Sequence, residues 1–284
     1  MSESTTIAAA LALGRAAHLD SQTTSLAAQV LLARQLGVTR AWLLAHPETA
    51  LAASAAREYT EQVARLAAGE PLAYLTGEQE FYGLPFTVSP QVLVPRPETE
   101  LLVDEARAVL ALRTPPERLR VADVGTGSGC IAVALAVNIP RLSVVATEIA
   151  PGALRVAQVN AQRHGVAQRI RLVRTDLIAA LARGLDLVCA NLPYIPTQAL
   201  ADLAVAQHEP LQALDGGPDG LDLTRRMLAQ AQLRMNPGGA LLLEIEEGHG
   251  RAALGLARRA FPRAAHSIHQ DLAGRDRLLR IDLP

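Results

Sequence analysis

No lysine occurs among the 284 residues; all 27 basic side chains are arginine. That absence excludes Schiff-base chemistry, attachment of pyridoxal phosphate and the phosphate-gripping lysine of P-loop enzymes. Two cysteines, Cys130 and Cys189, are too few for a disulfide framework or a zinc constellation, so no metal is expected. No run of 18 or more uncharged apolar residues is present, so no transmembrane helix is expected. Met1-Ser2-Glu3-Ser4 lacks the positive leader of a signal peptide. These absences together point to a cytoplasmic protein. Aromatics are scarce, and a formal net charge of −1 gives no overall basic footprint of the kind nucleic-acid binders carry. What is plentiful is apolar material: half the residues are hydrophobic, enough for a packed core in one large domain or two.

The first ~75 residues are rich in alanine and leucine at helical spacing, which predicts a small bundle of four or five short helices. Leu26, Val30 and Leu31 fall on one face. Asp20 and Thr39 stand where N-caps belong, and Gly14, Gly37 and Gly69 where helices could stop. Between 76 and 98 the character changes. Phe81, Tyr82 and Phe86 sit among β-branched neighbours, with Gly83 and Ser89-Pro90 as turn material, and a β-hairpin fits. Pro95-Arg96-Pro97-Glu98-Thr99-Glu100 then precedes a helix beginning near Leu101, which Thr99 or the acids could cap.

From residue 119 strands and helices alternate. Strands are expected at 119–124, 142–147, 169–175 and 185–190, then 239–245 and a closing antiparallel pair at 266–270 and 277–282. Helices are expected from the glycines after 124 through 137, at 152–164, 221–235 and 251–261. This pattern predicts an α/β fold with a doubly wound, seven-stranded, mostly parallel sheet. In such sheets the ligand sits outside the carboxyl ends of the strands.

The residues just past those ends are therefore the candidates. After the first strand, Gly125-Thr126-Gly127-Ser128-Gly129 gives Gly-x-Gly-x-Gly, one residue shorter than the dinucleotide fingerprint. The tighter loop suits a nucleoside lying close over it, with no diphosphate to cradle. After the second strand, Glu148 can accept from both hydroxyls of a ribose; alone it could equally be an acid favoured by a helix N-terminus. After the third, Asp176 could accept from an adenine amine with Leu177 on the ring, or be a solvated loop residue. After the fourth, Asn191-Leu192-Pro193-Tyr194 places an amide, a carbonyl ahead of a rigid proline, and an aromatic ring together. That trio suits a planar amide or amino group, whose two N–H protons need two acceptors.

With these residues in view, the chain resembles the class I, Rossmann-like S-adenosylmethionine-dependent methyltransferases of the N-P-P-Y type. Glu70-Pro71-Leu72-Ala73-Tyr74-Leu75-Thr76-Gly77, Glu80-Phe81-Tyr82-Gly83-Leu84 and Val94-Pro95-Arg96-Pro97-Glu98-Thr99-Glu100 narrow the resemblance to the peptide chain release factor glutamine methyltransferases. Glu209-Pro210, Gly216-Gly217, Asp219-Gly220-Leu221 and the stretch from Gly238-Gly239 to Glu244-Ile245 agree. The resemblance implies S-adenosylmethionine as cofactor, held by Gly125 to Gly129, Glu148, Asp176, Leu177 and Asn191. It implies as substrate the glutamine of a Gly-Gly-Gln segment in release factors, met by Asn191, Leu192, Pro193 and Tyr194. It also implies a release-factor-docking domain at 1–75, a hairpin linker at 76–98 and a methyltransferase domain at 99–284, with no nucleic-acid or membrane partner.

Two positions depart from the family pattern. Leu192 replaces the first proline of N-P-P-Y, and Glu148 stands where many relatives have aspartate. The implied role of residue 192 is its backbone carbonyl, which leucine retains, and Pro193 still restrains residue 192 toward extended geometry. The implied chemistry is in-line displacement: Asn191 and the Leu192 carbonyl hold the two N–H groups, Tyr194 packs on the amide, and Asp123 orients the loop. Three other readings share these residues: an adenine-N6 nucleic-acid methyltransferase, a nicotinamide-dependent oxidoreductase, and a non-catalytic translation-factor binder.

Overall fold

Short β-branched strands alternating with helices can bury both faces of a sheet only if the helices cover each side. The computed structural model of the protein, which describes residues 5–16, 23–113 and 118–284, has that arrangement. The chain divides between Glu78 and Gln79 into two units.

The first unit holds five helices among its described residues: α1 (Ile7–Ala16), α2 (Thr23–Leu36), α3 (Arg40–Ala45), α4 (Ala53–Ala67) and α5 (Leu72–Thr76). Its core gathers Ile7, Leu11, Leu31, Leu32, Leu43, Tyr59 and Val63. Thr39 caps α3 as its sequence position suggests, its hydroxyl accepting from the Trp42 amide at 3.1 Å. Gly37 and Gly69 take positive φ just past helix ends. Gly14 does not stop a helix; it lies inside α1, buried where a Cβ would press on Tyr59 and Ala28. Leu26 departs from the expected face too and stays exposed, while Ala28, Leu31 and Leu32 are buried. Asp20 lies outside the described residues.

A two-stranded sheet opens at this division, β1 (Glu78–Phe81) and β2 (Leu84–Thr87). The turn between them places Tyr82 and Gly83 at φ 54° and 72°, the left-handed pair of a tight hairpin turn. Phe81 and Phe86 are buried in the same core as the helices of the large sheet. Buried Asn160 ties this hairpin down. Its Oδ1 accepts from Thr87 N at 2.7 Å, and its Nδ2 donates to Thr87 O at 2.9 Å and Ser128 O at 2.8 Å.

Then follow α6 (Glu100–Ala111), β3 (Val121–Val124), α7 (Cys130–Asn138), β4 (Val144–Glu148), α8 (Pro151–Arg163), β5 (Ile170–Arg174), β6 (Leu185–Ala190), α9 (Asp222–Gln232), β7 (Met235–Glu244), α10 (Gly250–Ala260), β8 (Ala265–Gln270) and β9 (Asp276–Asp282). The sheet runs β5-β4-β3-β6-β7-β9-β8. The first five strands are parallel, and β9 is antiparallel to both neighbours, so the doubly wound, seven-stranded expectation holds. Strand alternation splits the core in two. Val121, Leu187, Cys189 and Leu242 face α6 and α7, while Ala122, Val124, Val188 and Leu243 face α9 and α10. The strand order reverses between β4-β3 and β6, which opens a crevice at the carboxyl ends of β3 and its neighbours. Among the described residues, no helix is long and apolar enough to cross a membrane.

Candidate active site

A cavity of about 500 Å³ sits at that carboxyl edge. Its lining contains Gly125, Thr126, Gly127, Ser128, Glu148, Asp176, Leu177, Asn191, Leu192 and Pro193, so ten sequence-derived candidates meet at one place. Gly129 and Tyr194 lie outside the lining. Gly129 starts α7, and Tyr194 stands beside Glu244.

The loop after β3 is pinned from below. Gly125 N and Thr126 N both donate to Thr147 O at 2.9 Å, and Gly129 N donates to Thr126 O at 2.7 Å. The Asp123 carboxylate, fully buried, accepts from the Thr126 hydroxyl at 2.6 Å and from Ala132 N at 3.1 Å. Burial pushes the Asp123 carboxyl up to about 6, against the lowering effect of those two bonds. Asp123 therefore orients the loop from beneath, as the sequence suggests.

Glu148 closes the loop from the side. Its Oε2 accepts from Gly127 N at 3.1 Å, and its Oε1 accepts from Ile149 N at 2.8 Å and Ala150 N at 3.0 Å. One backbone donor leaves acceptor capacity on Oε2, facing a cavity that Ile149 and Leu177 line with apolar surface. A glycine-rich loop, a carboxylate with a spare lone pair and flanking apolar groups fit a nucleoside-bearing cofactor. Asp176 is ion-paired with Arg226 of α9 across the cavity rim. Both cysteines are buried, and burial pushes the Cys130 thiol up to about 12, which leaves no reactive thiolate here.

The loop after β6 is held by side chains that the sequence reading passed over. Asn191 Nδ2 donates to the Thr99 hydroxyl at 3.0 Å. Thr99 is buried at the start of α6 but makes no side-chain cap, contrary to the capping expectation. Its hydroxyl accepts from Asn191 instead, and it stands with the Tyr194 phenol near Glu244 at the end of β7. Leu192 is buried, its Cδ2 lying 3.2 Å from where a Gly125 Cβ would stand. Leucine in place of proline thus packs on the glycine loop. Behind the loop, a Cβ at Gly220 (φ 73°) would stand 2.2 Å from the Tyr194 carbonyl, so only glycine fits. Arg96, also in the lining, pairs with buried Glu209 at 2.5 Å, and Glu209 accepts from Val94 N at 3.1 Å. Of these residues Glu244 carried a readable signal: a carboxylate at the tip of a strand, as Glu148 is.

Glu244 is almost fully buried, and that burial pushes its carboxyl up to about 7. Glu98 nearby adds to the rise, while Thr99, Arg277 and Tyr194 oppose it. A raised acid favours the protonated folded state: its contribution is full below the ordinary value of 4.5 and is lost as pH rises through about 7. Glu244→Gln removes that loss, so the variant's stability relative to the parent should climb between pH 5 and pH 8. Chemical denaturation at a series of pH values checks this; parallel stability curves for the two proteins would show that Glu244 does not titrate there.

Comparisons with known proteins agree with this architecture. Residues 9–77 match the family model of the PrmC N-terminal domain, and residues 99–209 that of the methyltransferase small domain. The release factor glutamine methyltransferase of Moorella thermoacetica is 49% identical over 89% of this chain and 89% of its own. That of Geobacter sulfurreducens is 44% identical over 81% of this chain and 79% of its own. The hMettl16 catalytic domain, solved with the MAT2A 3'UTR hairpin 1, is similar with a TM-score of 0.56 at 15% identity, covering 80% of this chain and 83% of that one. At that identity it speaks for the fold alone.

Proposed function

The chain belongs to the release factor glutamine methyltransferases, an S-adenosylmethionine-dependent family, and on that premise we propose how its residues carry the reaction. The observation that carries the reading is the Asn191 amide, which lines the cavity with its nitrogen already committed to Thr99. Its oxygen is left as an acceptor, as a substrate amide with two N–H protons requires.

Gly125, Thr126, Gly127, Ser128, Glu148, Asp176 and Leu177 would hold S-adenosylmethionine, with Gly129 setting the start of α7; the Glu148 carboxylate takes the ribose hydroxyls. When bound, the cofactor supplies an electrophilic methyl group. A glutamine side-chain nitrogen is a poor nucleophile because its lone pair is delocalised into the carbonyl, so positioning has to supply much of the acceleration. Asn191 Oδ1 and the Leu192 carbonyl accept its two N–H groups and fix the plane of the amide. Pro193 restrains the backbone of Leu192. Tyr194, beside Glu244, packs against the amide. Leu93, Pro95 and Leu192 give the cavity an apolar wall. No general base is needed, because the proton leaves once the nitrogen has gained its fourth substituent and become acidic.

The substrate glutamine is that of a Gly-Gly-Gln segment, and the helical unit ending at Glu78 supplies the docking surface for the intact factor. That unit has its own core. An adenine-N6 nucleic-acid methyltransferase is not favoured, since relatives at 49% and 44% identity are named for release factor glutamine.

Four measurements follow from this reading. Peptide mass analysis of a release factor incubated with the protein and S-adenosylmethionine should find one added methyl on that glutamine. Asn191→Ala should lower turnover on the order of 100-fold or more with cofactor affinity largely kept, and near-normal turnover would return Asn191 to an ordinary turn residue. Glu148→Ala should weaken cofactor binding by about 1.5–3 kcal/mol; titration calorimetry showing unchanged affinity removes Glu148 from the ribose site. Deleting residues 1–78 should spare cofactor binding but impair methylation of intact release factor, and a full rate on the intact factor would dismiss the docking role.

A further inference from the structure

A loop that turns through alternate glycines has no strand ladder to fix its peptide planes, and a plane that turns over exchanges a carbonyl for an N–H. The loop after β3 is such a segment, with Gly125, Gly127 and Gly129 at φ 69°, 54° and 81°. We propose that Asn160, inside α8 and outside the cavity lining, is the positioning residue that locks the Ser128–Gly129 peptide plane for S-adenosylmethionine. This rests on the cofactor-holding role proposed for the glycine loop and extends it to a residue behind that loop.

The plane is pinned at both ends. Its N–H, that of Gly129, donates to Thr126 O at 2.7 Å, and its carbonyl, that of Ser128, accepts from Asn160 Nδ2 at 2.8 Å. Turned over, the plane would set the Ser128 carbonyl toward Thr126 O, acceptor against acceptor, and the Gly129 N–H toward Nδ2, donor against donor. The Asn160 amide cannot turn with it. Its Oδ1 accepts from Thr87 N at 2.7 Å, and its Nδ2 also donates to Thr87 O at 2.9 Å. Reversing the amide would therefore oppose like groups at all three contacts. Asn160 is fully buried, so a carbonyl deprived of its donor there is left unsatisfied.

The face of α8 that carries Asn160 is shaped for this contact. Ala157 lies one turn earlier on the same face, and a Cβ on Gly129 would stand 3.1 Å from the Ala157 Cβ, so alanine and glycine together let the helix reach the loop. One turn after Asn160, His164 Nε2 lies 2.9 Å from Pro85 O in the hairpin. The hairpin thus orients the amide, and the amide orients the loop whose Ser128 lines the cavity. An apolar residue at 160 would suit the buried face of α8 as well; what asparagine adds is the bond to Ser128 O and the two to Thr87.

The test uses the full-length protein. Asn160→Asp keeps the shape of the side chain and an acceptor for Thr87 N but removes the donors, and Asn160→Leu removes all three bonds. Phe86→Leu, in the buried part of the same hairpin, is the control: it costs stability and removes none of those bonds. Titration calorimetry should find S-adenosylmethionine bound about tenfold or more weakly by both Asn160 variants, and within about twofold of the parent by Phe86→Leu. A second readout needs no cofactor. By hydrogen-exchange NMR the Gly129 amide of the parent should exchange slowly; it should exchange faster in Asn160→Asp and stay slow in Phe86→Leu. Fast exchange at Gly129 in the parent, parental affinity in a folded Asn160 variant, or an equal loss of affinity in Phe86→Leu would overturn the role of Asn160. If Glu148→Ala weakens binding while Asn160→Asp does not, the role of Asn160 alone fails; if neither weakens it, the glycine loop is not the cofactor site.

Discussion

Parallel direction in neighbouring strands is the constraint on which this molecule depends. Because β5, β4, β3, β6 and β7 all run the same way, their carboxyl ends meet at one edge. The glycine loop, Glu148, Asp176, Asn191 and Glu244 are distant in sequence and adjacent in space for that one reason. A parallel sheet also needs a covering helix on each crossover, and those helices pay a second return. α7 begins at the glycine loop, α6 delivers Thr99, and α9 delivers Arg226 to Asp176. Fold and site are therefore two consequences of the same register.

Buried carboxylates do most of the organising at that edge, each compensated differently. Asp123 accepts from a hydroxyl and a backbone amide beneath the glycine loop. Glu209 is met by the Arg96 guanidinium and the Val94 amide, which fastens the segment before α6 over the cavity. Glu244 has the Thr99 hydroxyl and the Tyr194 phenol nearby and no ion pair among the described residues, and burial pushes its carboxyl up to about 7. These groups are costly to bury, and each one sits where a loop has to be held without regular secondary structure. The glycines opposite them, such as Gly220 against the Tyr194 carbonyl, remove bulk so that the loops can approach.

Much of this was legible in the sequence because strand and helix periods are local signals. The alternation from residue 119 places β6 at Leu185–Ala190 and the other strands within a few residues of their observed limits, and the residues past their ends line the cavity. The reading failed where a residue's partner is remote. Thr99 looks like a helix cap from its neighbours, yet its partner Asn191 is 92 residues away. Gly14 looks like a helix stop, yet it is there to let α1 approach Tyr59 and Ala28. Asn160 sits inside an amphipathic helix with nothing local to mark it, and its partners are Thr87 in the hairpin and Ser128 in the glycine loop. Leu192, a departure from the family pattern, is explained by its contact with the glycine loop.

The central claim is that one acceptor pair, Asn191 Oδ1 and the Leu192 carbonyl, receives the glutamine amide. The direct measurement is a crystal structure of the protein with demethylated cofactor and a peptide carrying the release factor's Gly-Gly-Gln segment. The account predicts the glutamine side-chain nitrogen about 3 Å from both acceptors, with Asn191 still bonded to Thr99. A glutamine amide bound elsewhere in the cavity, or an Asn191 side chain turned away from Thr99 to meet it, would contradict the account.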